Sequence, residues 1–417
     1  MGARMERQCA HSMNRLALLF PLLLGFFLLG AALPPAWGQY EVEQEKPFWI
    51  RGLLDVRVAQ GGQAPSWTDR GPGKTRYGGR STSLGFERVT RVALSQLAIE
   101  VGGTLPWGIR AQAQLNWDTD INGDARPSLI EAFLRKEWGE WENGWGFQTG
   151  VMNIPFSLEH VGPAWTPQYT LSASALNSWI WEEIRLVGVE GERWQVTKAG
   201  IRLDLLTGAG FGPDQLGRLL AVRGWALGDV LSGVNSDLPL PARGVQTAIF
   251  YEEDYRPAIY TWFTISDERE RGALRIGYLD NLGDQGTTGV WETRFGMVGA
   301  ILHPLARMDL LVQYLEGVAR VRSPSNDSSL RAFYVLLSYH YQGHRLSVRY
   351  DDFRVHDLDG TPSTRERGDG VTLAYLFEFG LHHRVGFEYI WLHSHRPTSM
   401  PPDPSQDGWQ LSYRFRY

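Results

Sequence analysis

The last nine residues of the chain, 409–417, read WQLSYRFRY. Trp409, Leu411, Tyr413, Phe415 and Tyr417 take every second position, and Gln410, Ser412, Arg414 and Arg416 fill the gaps. Successive side chains of a strand point to opposite sides, so this is a strand with one apolar and one polar face. Chain ends are ordinarily polar and frayed. An end built as one amphipathic strand has to be paired with another. The same alternation recurs upstream. Ile109, Ala111, Ala113, Leu115 and Trp117 oppose Arg110, Gln112, Gln114 and Asn116, and Phe333, Val335, Leu337, Tyr339 and Tyr341 oppose Tyr334, Ser338 and His340. Val371, Leu373, Tyr375, Phe377 and Phe379 form a third such face, and Val385, Phe387, Tyr389 and Trp391 a fourth. Similar segments lie near 48–58, 92–102, 128–138, 145–153, 196–206, 272–280, 291–302 and 345–353. No helical period competes with them beyond residue 40.

The segments run about ten residues, the length a tilted strand needs to cross a bilayer. Their connections alternate in length. Tight ones are read at 190–194, 303–307, 342–344 and 380–382, and long polar ones at 59–91, 119–126, 154–181, 323–330, 358–368 and 397–407. Short turns at one end and long loops at the other mark a transmembrane barrel and not a soluble sandwich. The pattern predicts an all-β chain, a transmembrane antiparallel β-barrel of about 18 strands. Sixteen is allowed, because 219–251 is poorly patterned. In such a barrel the apolar face meets lipid, the polar face lines the lumen, and the sheet closes on itself because no edge can stay unpaired in hydrocarbon.

The N-terminus has the order of an export signal. Arg4, Arg7 and Arg15 precede an apolar run at 16–33, and Ala36 and Gly38 offer a small-x-small cleavage site. The expectation is a signal peptide at 1–38 and a single barrel domain at 39–417. The only cysteine, Cys9, lies in the segment removed, so disulfides play no part in stability. The net charge of the whole chain is -5, and no nucleic-acid partner is expected.

A terminal aromatic preceded by alternating apolar residues resembles the assembly signal of bacterial outer-membrane proteins. That resemblance implies the outer membrane of a Gram-negative-type bacterium, its lipid as surroundings, and the barrel assembly machinery as a partner. A second stretch narrows the class. Glu131-Ala132-Phe133-Leu134, then Gly150, then Pro155-Phe156-Ser157-Leu158-Glu159, with EEIRLVGVE at 182–190, resemble the phosphate-selective porin O and P superfamily. The match spans about 60 residues and implies a porin whose loop after the second of these strands folds into the lumen. It departs at Met152-Asn153-Ile154, where the family commonly carries Phe-Lys, so the phosphate chemistry is not carried over. A homotrimer is left open.

The loop at 154–181 is apolar, aromatic and small apart from Glu159 and His160. Such a loop is poor company for water, which predicts a lumenal constriction with Pro155, Phe156, Glu159, His160, Trp165 and Trp179 at its centre. Packing against a partner subunit is the rival reading. Arg51, Arg110, Arg135, Arg202, Arg275, Arg294 and Arg349, with Glu131, Glu292 and Asp351, are expected to line the pore. With Arg57, Arg414 and Arg416, and with Asp55, Glu100, Glu137, Asp204, Glu378 and Glu388 on the same face, they form either an anion ladder or ion pairs that brace the wall, and the near balance of ten arginines with nine acids favours the bracing pairs. Only four lysines exist, Lys46, Lys74, Lys136 and Lys198, so a lysine-based phosphate site is not expected. The loop at 59–91 is basic and suited to steering anions inward. DTDINGD at 118–124 opens like a calcium loop, but position twelve is Leu129 where a bidentate Glu is needed. His393 and His395 lack further ligands. No metal and no cofactor are implied, and neither a nucleophile elbow nor a zincin motif is present. The expected function is a porin-like channel for passive diffusion of small hydrophilic solutes or ions, with weak anion preference. A structural or adhesive barrel with a blocked lumen is the first rival and a barrel enzyme the second.

Overall fold

The computed structural model describes residues 47–118, 127–161, 164–241, 244–267, 271–322, 325–360, 365–397 and 406–417. The proposed signal segment and most of the acidic turn at 118–124 lie outside the described residues. Sixteen strands form one closed barrel. They are β1 (Phe48–Gln60), β2 (Thr90–Leu105), β3 (Ile109–Trp117), β4 (Pro127–Glu140), β5 (Asn143–Met152), β6 (Leu186–Val196), β7 (Ile201–Phe211) and β8 (Ala258–Asp267), followed by β9 (Gly272–Asp280), β10 (Glu292–Leu305), β11 (Met308–Arg322), β12 (Ser325–Tyr341), β13 (His344–Asp357), β14 (Glu366–Phe379), β15 (His383–His395) and β16 (Gly408–Arg416). Each pairs antiparallel with its sequence neighbours, and β16 closes on β1 in the register Leu53↔Arg416 through Gln60↔Trp409. Backbone exchange between Gly52 and Tyr417 extends that seam by one residue pair. The terminal strand is therefore the closing strand.

The count is the smaller of the two that the pattern allows, for two physical reasons. EGERW at 190–194 is not a turn. Glu190, Glu192 and Trp194 are the inward face of β6, where Glu190 accepts the Tyr260 hydroxyl at 2.8 Å and Glu192 pairs with Arg135. The turn falls instead at 197–200. Residues 325–330 are strand, paired to β11 from Arg322↔Ser325 onward, and not part of a long loop.

Outward side chains form an apolar belt with Ile99, Leu115, Leu134, Phe147, Val189, Leu205, Ile259, Ile276, Val298, Tyr375, Phe387 and Leu411 among its exposed members. Phe48, Trp107, Trp138, Trp141, Trp145, Phe379 and Tyr417 are exposed at the short-turn end, as in the aromatic girdle of a membrane barrel. The inside is not uniformly polar. Leu311, Leu315 and Ala319 of β11 and Leu330, Ala332, Tyr334 and Leu336 of β12 face inward and are buried. They can do so because long loops at the other end, 61–89, 153–185 and 212–257, fold into the barrel. Two short helices, α1 (Ala175–Glu183) and α2 (Arg218–Arg223), lie in the second and third of these loops, and both pack on β12.

The outward face of β16 predicts a specific sensitivity. Leu411→Arg, near the middle of that strand, should destabilise the barrel in lipid vesicles by about 2–4 kcal/mol. Ser412→Ala, one residue on and facing inward, should not carry that lipid-face penalty. Urea unfolding of both variants in vesicles checks the pair.

Candidate functional site: the filled lumen

A sixteen-strand barrel is too wide for its wall side chains to fill, and here the loop at 153–185 supplies the filling. Its descent begins with an aromatic plug. Phe156 lies 5.0 Å from Trp262 and 5.8 Å from Phe295, and Trp179 of α1 meets Phe295 at 5.2 Å and Trp225 at 5.8 Å. The wall makes room with glycine. A Cβ on Gly299 would stand 2.8 Å from Leu158, and one on Gly386 would stand 2.8 Å from Leu171.

Polar groups then clamp the loop to the wall. Arg349 of β13 is fully buried. Its Nε donates to Asp351 at 2.8 Å, and its Nη1 donates to Glu159 at 3.0 Å and to the Ser172 carbonyl at 2.6 Å. Nη2 reaches the Ala173 carbonyl at 2.9 Å. Across the seam, Glu388 of β15 accepts the backbone N–H of Leu171 at 2.7 Å and of Ser172 at 3.1 Å, and the Ser172 hydroxyl at 2.6 Å. The segment 171–174 is thus held by one cation through its carbonyls and one anion through its amides. The start of α1 is satisfied in the same way. Ser174 caps the Asn177 N–H, Glu159 accepts the Ser174 N–H at 2.9 Å and Asp351 accepts the Ala175 N–H at 3.0 Å. Carboxylates at a helix N-terminus complement its dipole.

The other loops lock onto this one. The Gly228 carbonyl accepts the Ala173 N–H at 2.8 Å and the Ser178 hydroxyl at 2.9 Å. Asp229 accepts from Arg57 at 2.6 Å and from Arg76 at 3.0 Å. Burial alone would raise the Asp229 carboxyl, but the Arg57 and Arg76 guanidiniums hold it below the ordinary carboxylate range. Lys74 pairs with Glu366 at 2.6 Å, while burial pulls its ammonium down to about 8. These two basic residues of the first loop are internal fasteners, not a steering patch. Glu183 accepts the N–H of Leu219 at 2.9 Å and of Gly217 at 3.1 Å, and the Trp179 indole. Burial nevertheless pushes its carboxyl up to about 7. His160 bonds Ser157 at 2.8 Å and stacks on Trp181, and burial pulls it down to about 3, so it is neutral.

The structure brings Phe156, Glu159, His160 and Trp179 together as buried members of the plug, with Pro155 and Trp165 half-buried beside them. Of the wall residues, Arg51, Arg110, Arg135, Arg202, Arg275, Arg349, Glu131 and Asp351 face inward. Glu131 accepts from Gln112 at 2.7 Å and Asn153 at 3.1 Å. Glu292 and Arg294 do not face the lumen. Their register partners Arg320, Val318 and Asp280 lie on the outward face, and it is Phe295 and Met297 that point in. Both charges sit at the loop end of β10, where the outward face is already clear of the apolar belt. Exposure is graded. Near the short turns the Arg51 side chain is 39% exposed, Arg135 19% and Arg202 17%, whereas Arg57 and Arg349 are 0% exposed. Sequence reasoning did not single out Lys74, Arg76, Asp229, Glu183 or Glu366 as fasteners. The inward glycines were the signal that a loop comes close.

No family model matches the sequence and no curated protein matches it. Among solved structures the fold is similar to the outer-membrane channel DcaP of Acinetobacter baumannii, with TM-score 0.55 and 12% identity over 89% of this chain and 97% of that one. It is also similar to the anion-selective porin from Comamonas acidovorans, with TM-score 0.52 and 10% identity over 89% and 99%. A loop-deletion form of the outer-membrane protein OmpT of Vibrio cholerae gives TM-score 0.52 and 11% identity over 89% and 99%. At these identities the likeness is one of fold: the chain has the closed β-barrel of outer-membrane porins.

The clamp makes two predictions. Arg349→Met leaves Glu159 and Asp351 buried without their cation, which costs about 3–5 kcal/mol. The loop at 154–181 should then become cleavable by protease at concentrations that leave the parent intact. Glu183 supplies a pH dependence. Between its ordinary value of 4.5 and about 7 the folded chain holds a proton that the unfolded chain has lost. Its contribution is therefore full below that window and is lost as pH rises through it. Hydrogen exchange at the Gly217 and Leu219 amides, corrected for intrinsic rate, should show less protection at pH 8 than at pH 5. Glu183→Gln should remove that difference.

Proposed function

We propose that the chain is an outer-membrane channel of porin type, exported by the segment 1–38, for passive diffusion of small hydrophilic solutes or ions, with its own loops holding the lumen shut at mid-depth. The graded exposure of the lumen charges carries this reading. A vestibule at the turn end keeps Arg51, Arg110, Arg135 and Arg202 in contact with water, and the plug above it is made of loop, not of wall. A plug fastened by side chains is removable, whereas a packed wall is not.

Anion preference is the finer part of the proposal. Arg51, Arg135 and Arg202 each have a carboxylate within 3.2 Å. Arg110 instead rests its guanidinium on Trp49 at 5.2 Å and donates to Gln112 at 2.9 Å. Its charge is left to act on solutes. A homotrimer belongs to the same reading, since OmpT of Vibrio cholerae is described in trimer form. The reading assigns no catalysis. The full burial of Arg349, Asp351, Glu159 and Glu388 supports the second reading, a barrel whose lumen stays blocked and whose role is structural.

Planar-bilayer recording separates the two. The parent should show small or rare openings, and the clamp variant Arg349→Met combined with Glu388→Gln should raise the conductance several-fold. In a salt gradient the reversal potential should have the sign for anions, and Arg110→Gln should move it toward zero. Silence from both the folded parent and the folded clamp variant would give the ground to the blocked barrel.

A further inference from the structure

The seam between β15 and β16 contains an electrostatic problem that the described residues leave unsolved. Arg384, the second residue of β15, stands directly opposite Arg414 of β16 in the ladder, on the inward face. Both are buried, at 4% and 1% exposure. Like charges facing each other across a ladder are destabilising, and a guanidinium does not shed its proton inside a protein. A buried cation therefore needs an anion.

Arg414 has part of one. Its Nε donates to Asp55 at 2.8 Å, and its Nη2 reaches the same oxygen. Asp55, however, is shared. It also accepts Arg57 Nε at 3.1 Å, Arg57 Nη2 at 3.0 Å and the Ser412 hydroxyl at 2.8 Å. Arg414 Nη1 is buried and meets no acceptor among the described residues. Arg384 fares worse, because neither its Nε nor its Nη2 meets an acceptor among the described residues, and both atoms are buried. The acid across from it on β14, Glu378, accepts Arg416 Nη2 at 2.6 Å. Four arginines, Arg57, Arg384, Arg414 and Arg416, thus share three carboxylates, Asp229 bonded to Arg57, Asp55 to Arg57 and Arg414, and Glu378 to Arg416, and none of the three accepts from Arg384.

The unpaired atoms have a particular shape. Nε and Nη2 form one whole edge of the guanidinium fork, the edge that takes two oxygens of one planar or tetrahedral anion side by side. Arg414 Nη1, on the strand next door, offers a further donor. We infer that Arg384 and Arg414 together hold one small oxyanion, of the sulfate, phosphate or carboxylate class, at the turn end of the β15–β16 seam. The ion acts as a counter-charge that lets the closing strand seat beside its neighbour. The inference does not rest on permeation and holds equally for an open or a blocked barrel.

The test uses the full folded chain in detergent and radiolabelled sulfate, by equilibrium dialysis at constant ionic strength in chloride. The parent should bind one sulfate per chain saturably. Unlabelled phosphate should compete and show that an oxyanion class is read, and acetate should show whether carboxylates belong to it. Arg384→Met should weaken sulfate binding by about tenfold or more, the value of hydrogen bonds to a charged group. Arg384→Lys, which keeps the charge and loses the fork, should fall between. Sulfate should also raise the thermal midpoint of the parent and leave that of Arg384→Met unmoved. Heat-modifiable gel mobility reports whether each variant has folded. If Arg384→Met does not fold, the parent and Arg384→Lys decide the matter. A folded parent with no saturable sulfate binding above chloride overturns the inference, and so does a folded Arg384→Met that binds as tightly as the parent.

Discussion

In hydrocarbon an unpaired backbone N–H or C=O has no water to fall back on, so the sheet must have no edge. The pairing of β16 with β1 meets that requirement, and most of the interior follows from it. With Asp55 set opposite Arg414, and Arg57 opposite Ser412, parity does the rest. Every second residue of each strand turns inward, and residues more than 350 positions apart become neighbours. Arg57, Asp55, Gln410 and Arg414 are one hydrogen-bonded group only because the first and last strands meet. Asp229, brought in by a loop, joins that group through Arg57. The charge pattern of the lumen is thus a consequence of closure and register, not a separate design.

Closure creates a second constraint, which is volume. A barrel of this width either holds water or is filled from elsewhere. Two kinds of filling meet here. Against β10–β12 the loops present Phe156 and Trp179, and the wall answers with Phe295, Leu315 and Leu336, so burial of apolar area does the work. Against β13–β16 and β1 the loops present backbone, and the wall answers with Arg349 and Glu388. Loop backbone carries obligatory donors and acceptors, and a guanidinium and a carboxylate are efficient partners for several of them at once. Buried charges of this sort are weak evidence for stability, since desolvation opposes their attraction. They are strong evidence for a defined position, because a loop shifted by one residue would leave both charges unmatched.

The same physics explains what could be read in advance. Strand parity was legible wherever one face meets lipid and the other meets water or polar loop, as in 409–417 and 109–117. The in-folding of 154–181 was legible from its apolar content. The apolar inner wall was not. In AFYVLL at 332–337 both faces are apolar, so the alternation read over 333–341 marks the strand but nothing says that Tyr334 and Leu336 await a helix. Glu292 and Arg294 misled for the opposite reason. Above the hydrocarbon an outward residue can be charged, and polarity stops reporting the side of the sheet. EGERW misled because two glutamates and a glycine look like a turn when their partners, Arg135 and Tyr260, lie 55 or more positions away. The fasteners Asp229 and Lys74 carried no local signal, since each pairs across the barrel.

Depth along the barrel, and not the count of arginines, decides what each arginine can do. A side chain sealed from water cannot act on a passing ion, so in the closed arrangement Arg57 and Arg349 contribute nothing to selectivity. The charges that can act are those of the vestibule, where arginine is prominent. Release of the loop changes the balance in a definite direction. The wall groups uncovered at mid-depth are Arg349 together with Asp351 and Glu388, one cation with two acids, since Glu159 leaves with the loop. On the proposed channel reading, an opened lumen would therefore present a mouth whose arginines are largely matched by Glu100, Glu137, Glu192 and Asp204, and an acidic waist above it. On that reading the waist, and not the mouth, sets charge preference once the loop has left, and release of the loop moves it toward cations.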